Sequence, residues 1–184
     1  MRPRWPQRSL FFAGCEGDSE RAYVARLNQL AEARGLHIWI HGGPLNPGAG
    51  DPLALVQKAV QQLQDKRRRG TRYRYAAILL DADTRDQDPE RARQVQLEAR
   101  KVDIQLVWQN PNHEAVLLRH LDGCQNLRPD ARQSLAELKK RWPEYDKSGI
   151  SADKLSQRIG YQQIVQAANV EPELGTFLRR IGLV

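Results

Sequence analysis

The chain has 184 residues, 40% of them hydrophobic and 28% charged, which fits a single soluble globular domain, residues 1–184, with room for a substantial core. Its longest apolar runs, such as AAILL, are far too short to cross a bilayer, and SLFFAGC runs straight into acidic CEGDSE, unlike a secretion signal. Lys and Arg number 29 against 22 Asp and Glu, and the resulting charge of +7 favours a polyanionic partner while leaving membrane surfaces and plain solubility open.

In chain order, SLFFAGC reads as a first strand, and Gly17 then turns the chain into the amphipathic helix DSERAYVARLNQLAEARG. Ala22, Val24, Leu27, Leu30 and Ala31 supply that helix's buried side, Ser19 fits its N-cap and Gly35 its C-cap. LHIWIHG is a second strand, GGPLNPGAGDP a loop read as a flexible rim, and Asp51 with Pro52 opens the helix PLALVQKAVQQLQDKRRRG. RYAAILLDAD is the third strand and PERARQVQLEARK the helix after it, with Asp83, Asp86 and Asp88 as candidate caps. DIQLVWQ is a fourth strand, and NHEAVLLRHL, DARQSLAELKKRW, SADKLSQRIGYQQIVQAAN and ELGTFLRRI are helical. The alternation predicts an α/β protein: a mostly parallel four-stranded sheet flanked by helices, with a helical C-terminal part packed on it. Cys15 and Cys124 show neither zinc-ligand spacing nor a disulfide framework, which suits a reducing cytoplasm.

In such a sheet, functional groups collect where strands end and helices begin. Glu16 follows the first strand, Asp81 and Asp83 the third, and NPNHE the fourth, so distant segments are expected to share one pocket. In extended chain Asp81 and Asp83 face the same way, and two adjacent carboxylates are costly to keep ionised without a cation. Mg²⁺ is the simplest compensator, with Glu16 completing its donors. Glu20, one helical turn after Glu16, either aims back at this site or only complements the helix dipole.

FFAGCEGDSERAYVARL, ILLDADTRD, QNPNHEAVLLRHL and PEYDK together resemble the RloB-like family, a branch of the Toprim (topoisomerase-primase) superfamily. The resemblance covers about Ser9 to Lys147. Its hallmarks are Glu16-Gly17 and Asp81-Ala82-Asp83, followed by Asn110, Pro111, Glu114 and His120; His113 stands where the family commonly has Phe, and Leu121 where it has an aromatic residue. The resemblance implies a Toprim fold and a nuclease dependent on Mg²⁺ or Mn²⁺, cleaving phosphodiester bonds in DNA or RNA, with Glu16, Asp81 and Asp83 as metal and catalytic groups. Asn110, Glu114, Tyr145 and Lys147 are then expected to support the site or touch substrate, as is Glu20. The resemblance further implies a role in antiphage defence beside an ATPase partner; a homodimer is a separate expectation.

His113 either touches a phosphate or faces solvent at a helix start, and His120 packs or caps. The two histidines are seven apart, and a helical zinc motif needs four. There is no P-loop. Arg67, Arg68, Arg69 and Arg72, interleaved with tyrosines, are candidate nucleic-acid contacts, yet they precede the third strand and belong at the edge opposite the acids. Lys139, Lys140 and Arg141 are better placed to guide a substrate toward the metal. Two other readings remain open at this level: a noncatalytic nucleic-acid-binding or assembly module that retains the acids, and a dehalogenase-type phosphatase suggested by LLDADT.

Overall fold

The computed structural model describes residues 8–45 and 51–184, apart from the side chains of Thr84, Asp86 and Gln87. Strand β1 (Ser9–Cys15) alternates its side chains between two cores. Phe11, Ala13 and Cys15 enter one and Phe12 the other, as the two-residue period of a strand buried on both faces requires. The same alternation divides β3 (Tyr75–Asp81), whose Ala77 and Leu79 face the first core while Ala76, Ile78 and Leu80 face the second. With β2 (Ile38–Pro44) and β4 (Ile104–Gln109) these strands form one four-stranded, all-parallel sheet in the order β2-β1-β3-β4.

Helix α1 (Asp18–Ala33) lies over the first face and buries Ala22, Val24, Leu27, Leu30 and Ala31. Gly17 rather than Ser19 takes the N-cap position, and Ser19 is drawn inward. The helix closes on Gly35 at φ +68, whose N–H donates to the Glu32 carbonyl while Leu36 N–H reaches Ala31, the paired bonds of a glycine-terminated helix. On the second face lie α2 (Pro52–Arg68), capped by Asp51, and α4 (Pro89–Lys101), capped by Asp88 through Arg91 N–H. Between β3 and α4 the short helix α3 (Ala82–Gln87) intervenes. Asp83 therefore sits on a helix, and the extended-chain geometry expected of Asp81 and Asp83 is replaced by a strand end followed by a helical turn.

The C-terminal part is helical: α5 (His113–His120), α6 (Ser134–Arg141), α7 (Ala152–Ser156), α8 (Tyr161–Val170) and α9 (Pro172–Arg180). The stretch expected as one helix from Ser151 to Asn169 is broken, because extended Gly160 caps α8 with its N–H donated to Gln163. Helix α6 starts at Ser134 instead of Asp130, whose side chain accepts from Gln133 N–H in the preceding turn. β2 likewise runs on through Gly43 and Pro44, past the Gly42 that ends the expected strand. Residues 46–50 of the expected rim lie outside the described residues, as does the side chain of Asp86.

Both outer strands have their edges covered. On β2, Asn28 of α1 accepts from Ile40 N–H and donates to its carbonyl, each at 2.8 Å. On β4, the Glu173 carboxylate of α9 accepts from Trp108 N–H. Among the described residues no helix is long and apolar enough to cross a membrane. Cys15 and Cys124 are both free and buried, and burial pushes the Cys15 thiol far up.

Candidate functional site

The sheet order reverses direction between β1 and β3, and the carboxyl ends of these two strands flank the crevice where open parallel sheets place ligands. The β1–β3 ladder ends at Gly14 opposite Ile78, and carrying its register two residues on sets Glu16 level with Leu80, next to Asp81. On the other side Asp81 pairs in register with Gln109, at the end of β4. Three strand ends thus bring Glu16, Asp81 and the NPNHE tract to one place.

Asp81 is half-buried. Its Oδ1 accepts the backbone N–H of His113 at 2.9 Å, while the Pro111 carbonyl accepts from Ala82 and Asp83 N–H. The segment after β4 and the turn into α3 are therefore stitched together by backbone bonds. The Asn110–Pro111 peptide in this segment is cis. Burial, and then the charges of Glu20, Glu16, Glu114 and Asp83, push the Asp81 carboxyl up to about 8. Four further carboxylates, from α1, the β1 end, α5 and α3, are close enough to repel it.

Each has its own setting. Glu20 is buried and folds back to accept Gly17 N–H at 3.1 Å, so it lies over the turn that carries Glu16. Glu114 is buried, and its Oε1 meets Lys147 Nζ at 2.8 Å. Partial burial alone would lower the Lys147 pKa, but the Glu114 contact and the charges of Asp81 and Glu20 outweigh it and raise it. Tyr145 is buried, its phenol pushed up by burial, and its hydroxyl lies 3.0 Å from Ser19 Oγ. The structure thus brings Tyr145 and Lys147, from beyond α6, against α1 and α5. A cavity of about 380 Å³ lined by Ser19, Lys139, Asp146 and Lys147 adjoins them. A second groove of about 730 Å³ runs along α1 and the β2 edge past Trp39, on the far side of Asp18, away from Asp81.

Other expected site residues are placed elsewhere. Arg67, Arg68, Arg69 and Arg72 lie at the end of α2 and just beyond it, at the amino-terminal edge of the sheet. Lys139 reaches the cavity beside Lys147, whereas Arg141 pairs with Glu137 and lines a different hollow with Cys124 and Arg158; Lys140 is exposed. Asn110 is exposed at the strand end, and its carbonyl accepts from Arg119.

His113 does not face solvent at the helix start: its ring is fully buried behind the acids. Gln109 Nε2 lies 2.6 Å from its Nδ1, Tyr23 packs edge-on against it, and its Nε2 lies against the backbone of Ser19 without a well-formed hydrogen bond. Burial lowers its pKa, so the ring stands neutral beside the carboxylates. His120 donates through Nδ1 to the Val116 carbonyl at 2.8 Å, which leaves Nε2 to accept from Tyr23 at 3.0 Å. Burial lowers the His120 pKa to about 4. Gln109 and Tyr23, not singled out by sequence reasoning, and Ser19, expected only as an N-cap, thus form the polar backing that holds α1, α5 and β4 together beneath Asp81. Gln109 carried a signal: a polar residue closing an otherwise apolar strand.

Among the described residues no three His, Cys, Asp or Glu side chains already converge on one point in metal-holding geometry. The donor chemistry nonetheless fits a hard divalent cation. The groups around Asp81 are carboxylates, and a half-buried carboxyl raised by like charges is stabilised as the anion by such an ion.

Comparison with curated proteins and with solved structures returns no match. The family model described as RloB-like protein matches residues 11–173, from β1 into α9, and the chain belongs to the RloB-like family.

Proposed function

We propose that this RloB-like protein is a Toprim-type nuclease that hydrolyses phosphodiester bonds in DNA or RNA with the help of Mg²⁺ or Mn²⁺. The observation that carries the reading is Asp81, half-buried at the switch point of the sheet and raised to about 8 among four other carboxylates. Such an arrangement destabilises the protein unless a cation or a proton occupies it, and strain of this kind clusters at functional sites. Glu16, Asp81 and Asp83 would hold the ion, which when bound neutralises the acids, polarises a phosphoryl oxygen and acidifies a water.

The remaining roles belong to the chain. His113 N–H fixes one oxygen of Asp81 and so orients the carboxylate at the strand end. Glu20, folded back over the turn that carries Glu16, would hold that turn in place beside the ion. Lys147, more than half exposed at its side chain, can swing from Glu114 to a substrate phosphate once positive charge stands beside the acids. Family membership further supports a place in antiphage defence beside an ATPase partner.

The test is incubation with single- and double-stranded DNA and RNA in Mg²⁺, Mn²⁺ or chelator, alongside Asp81→Asn and Glu16→Gln. Metal-dependent cutting abolished by both changes is the expected result. Binding without cutting in any metal, unaffected by either change, would overturn the nuclease and favour a noncatalytic nucleic-acid-binding module.

A further inference from the structure

At the amino-terminal edge of the sheet, opposite the carboxylates, two clefts share Arg74 and Tyr75 as a common wall. One takes in Arg67 and Arg72 from the end of α2 and the loop after it, the other Arg179 and Arg180 from the end of α9. The two sets are far apart in sequence and meet only through the fold. All five arginines are exposed, and none of them is in an ion pair among the described residues. Arg74 donates to Ser9 Oγ at 3.0 Å, and the Arg180 guanidinium lies 5.3 Å from the Tyr75 ring centroid, so two of them are held in place. Among the described residues Asp103 is the one acid lining either cleft.

Bases at helix C-termini are commonly no more than complements to the dipole. Here that account falls short: five positive charges against Asp103 and two helix ends of about half a charge each leave roughly +3 uncancelled. We propose that these five arginines form a phosphate-binding face that anchors a nucleic-acid backbone at the edge opposite the acids. Guanidinium forks match phosphate oxygens in pairs, and a strip of them spanning two clefts suits a polymer better than a single anion. β3 runs from Tyr75 to Asp81, so the face lies about 20 Å from the carboxylates at ~3.3 Å per residue, about six base pairs of duplex. In the absence of metal the acid edge repels phosphate, so this face carries a larger share of the binding.

The inference rests on nucleic acid being the substrate and is independent of cleavage. The experiment is fluorescence anisotropy with a duplex of about 20 base pairs in chelator over a salt series, a length that covers both edges. Arg179→Gln/Arg180→Gln should weaken binding about tenfold or more at low salt and reduce the slope of log K against log salt by about 2. Arg67→Gln/Arg72→Gln, from the other cleft, should do the same and guards against misfolding of the first variant. Arg93→Gln/Arg132→Gln, with the same charge change elsewhere on the surface, should stay within about twofold of the parent. Unchanged binding in both cleft variants, or an equal loss in the control, overturns the inference. Failure to cut any substrate would sink the nuclease and leave this result standing.

Discussion

Replacing Asp81 by Asn should stabilise the metal-free protein, and by an amount that depends on pH. Burial and then the surrounding acids raise the carboxyl from 3.8 to about 8. The folded protein therefore holds this proton more tightly than the unfolded chain, and between about pH 4 and 8 stability falls as pH rises. At about 1.4 kcal/mol per pH unit, the ceiling on that loss is roughly 6 kcal/mol above pH 8. Asp81 is only half-buried, and solvent screening together with relaxation of the charged cluster brings the expected value to about 2–4 kcal/mol. Asn keeps the acceptor for His113 N–H and removes the charge. Urea unfolding followed by circular dichroism at pH 5 and pH 9, in chelator, measures the effect as a double difference. The variant should gain about 2–4 kcal/mol on the parent at pH 9 and little at pH 5. Added Mn²⁺ should close the gap by stabilising the parent alone. Parent and variant with the same pH dependence would refute the reasoning, because Asp81 would then not be carrying the cluster's repulsion.

Arg119→Met should cost about 3–5 kcal/mol in the same unfolding assay, since it leaves buried Glu171 without its partner and removes the donor that holds the Asn110 carbonyl. Gly175→Ala would set a Cβ 2.2 Å from the Ala168 carbonyl oxygen of the adjoining helix, and a loss of about 2–3 kcal/mol, or roughly 5–10 °C in Tm, should appear in thermal melts. His120 titrates in the sense opposite to Asp81. With its pKa lowered from 6.5 to about 4, the unfolded chain binds the extra proton, and stability is lost as pH falls through that window, by up to about 3 kcal/mol. His120→Gln should flatten that acid limb while costing about 1 kcal/mol at pH 8 for the Tyr23 contact, both read from unfolding curves at pH 4.5, 6 and 8.

The strands and most helix limits were legible in the chain because each carries its own local signal. FFAGC and YAAILLD are apolar runs with strand length, and Asp51-Pro52, Asp88-Pro89 and Gly35 mark helix ends by chemistry that needs no tertiary partner. ADTRDQ was not legible as a helix, being short, polar and without an apolar period, so Asp83 was placed on an extended chain it does not occupy. Gly160 similarly interrupts a convincing helical pattern: both halves keep their apolar faces, and the break is made by the extended Gly160, whose N–H bonds Gln163 and starts a new helix. At the site, the motif acids were visible as strand-end residues. What surrounds them was not: the burial of His113 depends on Gln109 and Tyr23, and the grip of Lys147 on Glu114 joins segments separated by α6. Arg179 and Arg180 carry no signal of their own within ELGTFLRRI; only the fold sets them beside Arg74.

Asn28 and Glu173 have a consequence for how copies of this protein can meet. A sheet grows into a neighbour by offering a row of vacant donors and acceptors, and here one amide on β2 and one carboxylate on β4 interrupt that row at each end. Self-association by strand addition is thereby discouraged at both flanks, which favours assembly through helix surfaces and loops and so leaves the sheet's alignment of strand ends undisturbed.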